Sequence, residues 1–198
     1  MIAQMSKKLS SFFIAHEIIS VDDREVYEYS FEVIISTFIS FLALAVFAII
    51  TCTVGYTALY LLGFIPLRVV AGGYHAKNHF RCITLFMCIY GTYLLLLTLF
   101  PYELLLQLIV ATSALSLALV YLLAPSEDRN KPISDEQKAI YKRKSKIVII
   151  CFAAIIGVLS VFISDLRIPL SLSLGNLTVA ISLLTNFAKN KKKYKEME

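Results

Sequence analysis

FEVIISTFISFLALAVFAIITCTVGYTALYLLGFIPL, residues 31–67, is a run of 37 residues whose only charge, Glu32, stands next to its start. A helix needs about 20 apolar residues to cross the roughly 30 Å hydrocarbon core of a bilayer, and about 17 is the lower limit. The run is therefore either one long tilted crossing or two short ones, and the topology of the whole chain depends on which.

The rest of the sequence supplies the frame for that choice. With 58% hydrophobic residues and a mean hydropathy of +0.74, the chain exceeds what a soluble domain carries and reads as an integral membrane protein. Further apolar runs occupy 83–100, 104–124, 147–163 and 168–188. The nineteen Lys and Arg residues fall into patches at 7–24, 68–81, 129–146 and 189–195, with Arg167 alone. The positive-inside rule assigns all four patches to the cytoplasm. If Lys7 and Arg68 are both inside, residues 31–67 must cross twice, turning near Thr51-Cys52-Thr53-Val54-Gly55. The chain then alternates through 83–100, 104–123, 147–163 and 168–188, with outer turns at Pro101-Tyr102-Glu103 and at Ser164 to Pro169. A five-span arrangement with one tilted helix over 31–67 would strand either the N-terminus or the 129–146 loop outside.

The expected fold is thus an all-α integral membrane protein of six transmembrane helices with both termini cytoplasmic. It forms one polytopic domain over 1–198: an amphipathic segment at 1–30, two short spans at 31–67, a cytoplasmic loop at 68–82, two spans at 83–123, a basic loop at 124–146, two spans at 147–188 and a basic tail at 189–198. Lys7 and Lys8 are followed by too short an apolar stretch, and no small-residue cleavage site, to make a signal peptide. Met5, Leu9, Phe12, Phe13, His16 and Ile19 recur at helical spacing, which reads as an interfacial helix. The basic residues sit at the ends of apolar runs, where they determine topology and meet anionic lipid, so membrane lipids are expected partners and nucleic acid is not.

One polar segment stands out, RVVAGGYHAKNHFRC at residues 68–82. Cys52 falls in the proposed outer turn, while Cys88 and Cys151 lie inside apolar runs, where a thiol packs as a small hydrophobe. Cys82 differs: it follows Arg81 and lies close to His75, Lys77 and His79, and positive neighbours favour the nucleophilic thiolate. In a straight helix His75 would stand about 10.5 Å from Cys82 along the axis, at 1.5 Å per residue. Proton transfer needs about 2.6–3.2 Å. Either His79, three residues before Cys82, is its partner, or the backbone folds at Gly72-Gly73, where glycine admits left-handed conformations. His75, His79 and Cys82 are also ligand types that zinc accepts, but a fourth ligand and an orienting carboxylate are missing, so no metal or other cofactor is expected. A transporter would place ionisable residues within its spans, and these runs hold almost none.

Arg68, Ala71, Gly73, His75-Ala76 and Cys82, at these separations between hydrophobic segments, resemble the signature of the AgrB family, membrane peptidases of bacterial peptide quorum sensing. The likeness continues through Leu123-Ala124-Pro125 to Lys131-Pro132 and Lys142-Arg143-Lys144, and covers essentially the whole chain. The resemblance implies a cysteine endopeptidase of the cell membrane, active site facing the cytoplasm, that cleaves the C-terminal tail of an AgrD-like precursor peptide. A thioester on the enzyme would then be resolved by cyclisation into a (thio)lactone pheromone. It also implies Cys82 as nucleophile, His75 as its partner and a homodimer; Arg68 and Gly73 match motif positions, and Gly72 and Gly73 are taken as oxyanion donors. No acidic residue near the motif offers itself as a third catalytic group. A metal-dependent peptidase or a transporter is the alternative reading.

Overall fold

A computed structural model describes residues 2–73, 79–126 and 134–195, with the side chains of 79–82 and 190–195 left aside. Every regular element among the described residues is helical. Seven α-helices follow in order: α1 (Ile2–Ala15), α2 (Arg24–Ile50), α3 (Val54–Ala71), α4 (His79–Leu99), α5 (Leu105–Leu123), α6 (Asp135–Phe162) and α7 (Arg167–Lys195). Five are long and apolar enough to cross a membrane, and the apolar part of α4, Ile83–Leu99, is a shorter sixth. The 31–67 run is two helices. α2 ends at Ile50 and α3 begins at Val54, with Cys52 at φ +54 in the turn between them.

Two helices extend further than hydropathy alone predicts. α2 starts at Arg24, seven residues before the apolar run, and the 124–146 segment is helical from Asp135 instead of looping to Lys146. The causes are local. The Ser134 side chain caps α6 by accepting from the Gln137 N–H at 3.3 Å, and Asp135 and Glu136 complement the helix dipole in the first turn. In α2, Glu28 and Glu32 are held by serines of α1, as described next.

The chain divides into two compact units, one built on α1, α2 and α4 as far as Tyr90, the other on α3, α5, α6, α7 and α4 from Gly91. In the first unit Ser6 and Ser10, four residues apart and both 0% exposed, face α2. Their hydroxyls donate to Glu32 at 3.4 Å and Glu28 at 3.2 Å. Arg24 completes the seam, with Nε on Glu28 at 3.0 Å and Nη2 on Ser11 at 2.9 Å. Most of the apolar stripe of α1 faces away: Met5, Leu9 and Phe12 are exposed, while Phe13 is half-buried and stacked on Phe31 at 5.4 Å. Small polar residues make the contact with α2, and most of the apolar stripe of α1 is exposed. The helix stops at Ala15 rather than running to Ile19, with Glu17 at φ +56 just beyond its end.

In the second unit α7 is central. Two thirds of its apolar window (67%) is buried by α3, α5 and α6, against 17–28% for the other spans. α3 crosses it at glycine: a Cβ on Gly63 would lie 2.4 Å from the Leu172 carbonyl oxygen, and one on Gly175 would lie 2.3 Å from that of Tyr60. Close backbone approach at small residues is how membrane helices gain packing contact. Buried hydroxyls join the same interfaces, Tyr60 with Thr178 at 2.9 Å, Tyr93 with Ser171 at 3.2 Å, and Thr112 with Ser173. At the end of the unit that carries Arg68, the core includes Leu67, Ala71, Val120, Ile149, Val179 and Leu183, contributed by four helices.

Candidate functional site

The end of α3 is shaped by two glycines. Gly72 has φ +72 and Gly73 φ +140, conformations closed to most L-residues, so the helix cannot continue through them. The Gly72 N–H still donates to the Arg68 carbonyl at 3.1 Å, closing the last turn. Arg68 then reaches past that turn, and its Nη1 donates to the Gly72 carbonyl at 2.8 Å and to Ser182 Oγ on α7 at 2.7 Å. A side chain at position 73 would displace this arginine from its place. A Cβ on Gly73 would stand 1.7 Å from Arg68 Nη1 and 2.4 Å from Ser182 Oγ.

A second chain segment meets the corner. Beyond α5, Ser126 pairs with Gly72 in an isolated parallel bridge, donating its N–H to the Ala71 carbonyl at 2.9 Å. In such a bridge the N–H following Gly72, that of Gly73, faces the Ser126 carbonyl. The Ser126 hydroxyl accepts from Asn186 Nδ2, one turn along α7 from Ser182. Asn186 is 8% exposed, so this polar cluster lies within the packed end of the unit.

Arg68, Gly72 and Gly73, singled out by sequence, are thus brought together in one corner. Ser126, Ser182 and Asn186 complete it and were not singled out. Their signal was the i, i+4 spacing of two polar residues within the 168–188 apolar run, a pattern that membrane helices use toward protein neighbours. Cys82 and His79 belong to the first turn of α4, which begins at His79. His75, with Tyr74 to Asn78, lies outside the described residues, as do the Glu127 to Ile133 segment and the side chains of the alternative metal set His75, His79 and Cys82. Among the described residues no three His, Cys, Asp or Glu side chains converge on a metal position.

The backbone does meet one geometric requirement. α3 ends at Ala71 and the glycines turn at positive φ, so α3 does not continue through Gly72 and Gly73, and α4 begins at His79. No disulfide joins the other three cysteines among the described residues: Cys52 is exposed in the α2–α3 turn, and Cys88 and Cys151 are exposed on their helices. Cys88 and Cys151 therefore lie on exposed faces of their helices and are not core packing, contrary to expectation.

Fold and site together define a multi-pass helical membrane protein with a glycine corner between its second and third apolar helices. The model of the accessory gene regulator B family, AgrB, matches residues 6–184, and the chain belongs to that family. No curated protein and no solved structure matches it. Membership supports a general role in processing an AgrD-type peptide, a function of a peptidase-like processing family, with that peptide as partner.

Proposed function

We propose that the chain is a cysteine endopeptidase that cleaves an AgrD-like precursor at the cytoplasmic face of the membrane, with Cys82 as nucleophile and His75 as general base and acid. The observation that carries the reading is the glycine corner. Without a break, His75 and Cys82 would be separated by two helical turns; with one, the chain is free to return the imidazole toward the thiol. His79, within the first turn of α4 beside Cys82, remains the rival that the same experiment tests. Gly72 and Gly73 are read as the corner itself instead of as oxyanion donors, since Gly72 donates to Arg68 and Gly73 faces Ser126.

The chemistry balances without a cofactor. His75 takes the thiol proton, and Cys82 Sγ attacks the precursor carbonyl carbon at the end of the future ring. The tetrahedral adduct collapses by breaking the C–N bond, and the tail departs as an amine that receives the proton from His75. A thioester remains on Cys82. A precursor thiol, deprotonated by His75, attacks the same carbon, the bond to Cys82 Sγ breaks, and the acyl group closes a thiolactone; a hydroxyl would give a lactone. The catalytic segment, the basic residues of α6 and the tail act as parts of one polytopic domain, which functions as a homodimer.

Co-expression with a precursor tests this. Cys82→Ala and His75→Ala each abolish cleavage while the protein still inserts, and mass spectrometry finds an acyl adduct on Cys82. Full-rate processing by Cys82→Ser would overturn the thioester route. Cleavage lost with His79→Ala but kept with His75→Ala would transfer the base to His79, and loss with a chelator would redirect the mechanism to a metal.

A further inference from the structure

Gly73 follows α3 two residues before His75, and what holds that point comes from α7 as well as from α3. Arg68 Nη1 bridges the Gly72 carbonyl, at 2.8 Å, to Ser182 Oγ, at 2.7 Å. One helical turn away, Asn186 Nδ2 donates to the Ser126 hydroxyl, and the Ser126 N–H donates to the Ala71 carbonyl at 2.9 Å. Ser182 and Asn186 are four residues apart and share a face of the helix. They therefore grip both sides of the bridge through different partners, one through an arginine and one through a serine.

Chemistry gives this grip more weight than a pair of surface hydrogen bonds. The arginine contacts are charge-assisted. They sit at the end of an apolar core that includes Leu67, Val179 and Leu183, where a hydrogen bond is electrostatically stronger and a lost one costlier than in water. α7 is the most buried of the candidate spans and so the firmest anchor in the unit. A trans peptide plane also fixes the Gly73 N–H once the Gly72 carbonyl is held, so holding that one oxygen orients the whole linkage from which the chain departs.

We infer that Ser182 and Asn186 are positioning residues for the catalytic segment: together with Ser126 they fasten the Arg68–Gly72 corner to α7 and set where the chain emerges two residues before His75. The inference rests on the reading of His75 and Cys82 as the catalytic pair. A misplacement of about 1 Å at a distance from the chemistry can lower a rate about a hundredfold, so loosening the grip acts on turnover while leaving the fold in place.

The test uses the full chain in nanodiscs, with Ser182→Ala, Asn186→Ala, the double variant and the hydroxyl-retaining Ser182→Thr. Hydrogen exchange followed by mass spectrometry is expected to rise in peptides covering 72–82 and 124–128 of the Ala variants and to stay unchanged in α5 and the membrane part of α6. Cleavage of a co-expressed precursor is expected to fall at least about tenfold in the double variant, in keeping with that sensitivity, and to stay near the unsubstituted rate in Ser182→Thr. The pH profile of Cys82 alkylation, read on the Cys82 peptide, is expected to move toward that of His75→Ala. Unchanged exchange around the corner would overturn the grip itself, whatever happens to activity. Raised exchange with undiminished cleavage would overturn the positioning role. A general rise in exchange through α5 and α6 would reduce the two residues to fold stability and also overturn it. If His75→Ala leaves the alkylation profile and cleavage unaltered, the catalytic reading fails and the positioning role falls with it, while the exchange result still decides whether the corner is held.

Discussion

At Gly73 a methyl group would overlap Arg68 Nη1 at 1.7 Å and crowd Ser182 Oγ at 2.4 Å, and it would do so on a residue at φ +140. Gly73→Ala therefore suffers twice: the strained backbone costs about 1–3 kcal/mol, and the guanidinium must swing away from the Gly72 carbonyl. The arginine is the mobile party, so the corner opens before the helices separate. Gly73→Ala is expected to keep its thermal midpoint in detergent within a few degrees while precursor cleavage drops at least about tenfold; a large midpoint shift would mark the glycine as a folding residue instead. The glycines and Arg68 were legible in sequence because their chemistry is intrinsic, a need for positive φ and a cation at a helix end. Ser182, Asn186 and Ser126 were not. Arg68 and Ser182 stand 114 residues apart, and serine is common in apolar helices, where it usually bonds its own backbone, as Ser171 does to the Arg167 carbonyl at 2.7 Å.

Among the helices, hydropathy and burial run in opposite directions. α2 has a window of mean hydropathy 2.8 and is 17% buried, whereas α7 has 1.6 and is 67% buried. Lipid tails are as apolar as leucine, so greasiness does not drive a helix inward; small residues and satisfied hydroxyls do. The presence of six apolar helices and the break at Thr51 to Thr53 were legible, since both follow from length and charge. Which helix is central was not, because that depends on the two glycines and the hydroxyl pairs meeting across elements. The relative weight of those two contributions is testable. Gly175→Val drives side-chain carbons into the Tyr60 carbonyl, and overpacking of this kind costs about 1–3 kcal/mol. Tyr60→Phe removes the hydroxyl that bonds Thr178 at 2.9 Å, and such bonds in a membrane protein average about 0.6 kcal/mol. Unfolding in mixed micelles is expected to place Gly175→Val well below Tyr60→Phe in stability. The reverse order would mean that hydrogen bonding, not close packing, holds α3 on α7.

For the molecule as a whole, the disposition of charge predicts its orientation in the membrane. Arg68 lies in the last turn of α3, the basic residues Lys138 to Lys146 lie in the first three turns of α6, and Lys189 to Lys195 end α7. With three helix ends cationic, the positive-inside rule predicts that the corner, the start of α6 and the end of α7 face the cytoplasm, where each Lys or Arg near an anionic surface gains about 1 kcal/mol. The helical start of α6 at Asp135 strengthens this, because twelve residues before Ile147 at 1.5 Å each carry the basic turns about 18 Å beyond the start of the apolar run. That length suits an interface, not a flexible loop. Lys146 is anchored there, its ammonium 3.7 Å from the centre of the Tyr121 ring, a cation–π contact at the boundary. Native Cys52, exposed in the α2–α3 turn, is the natural reporter for the opposite face. In intact cells a membrane-impermeant maleimide is expected to label Cys52 and a Ser164→Cys variant in the α6–α7 turn. Cysteines introduced at Lys138 and Lys189 are expected to react only in inverted vesicles. Labelling of Lys138→Cys from outside would place the corner and the catalytic segment away from a newly made peptide, and the processing reaction would then require a substrate that has already crossed the membrane.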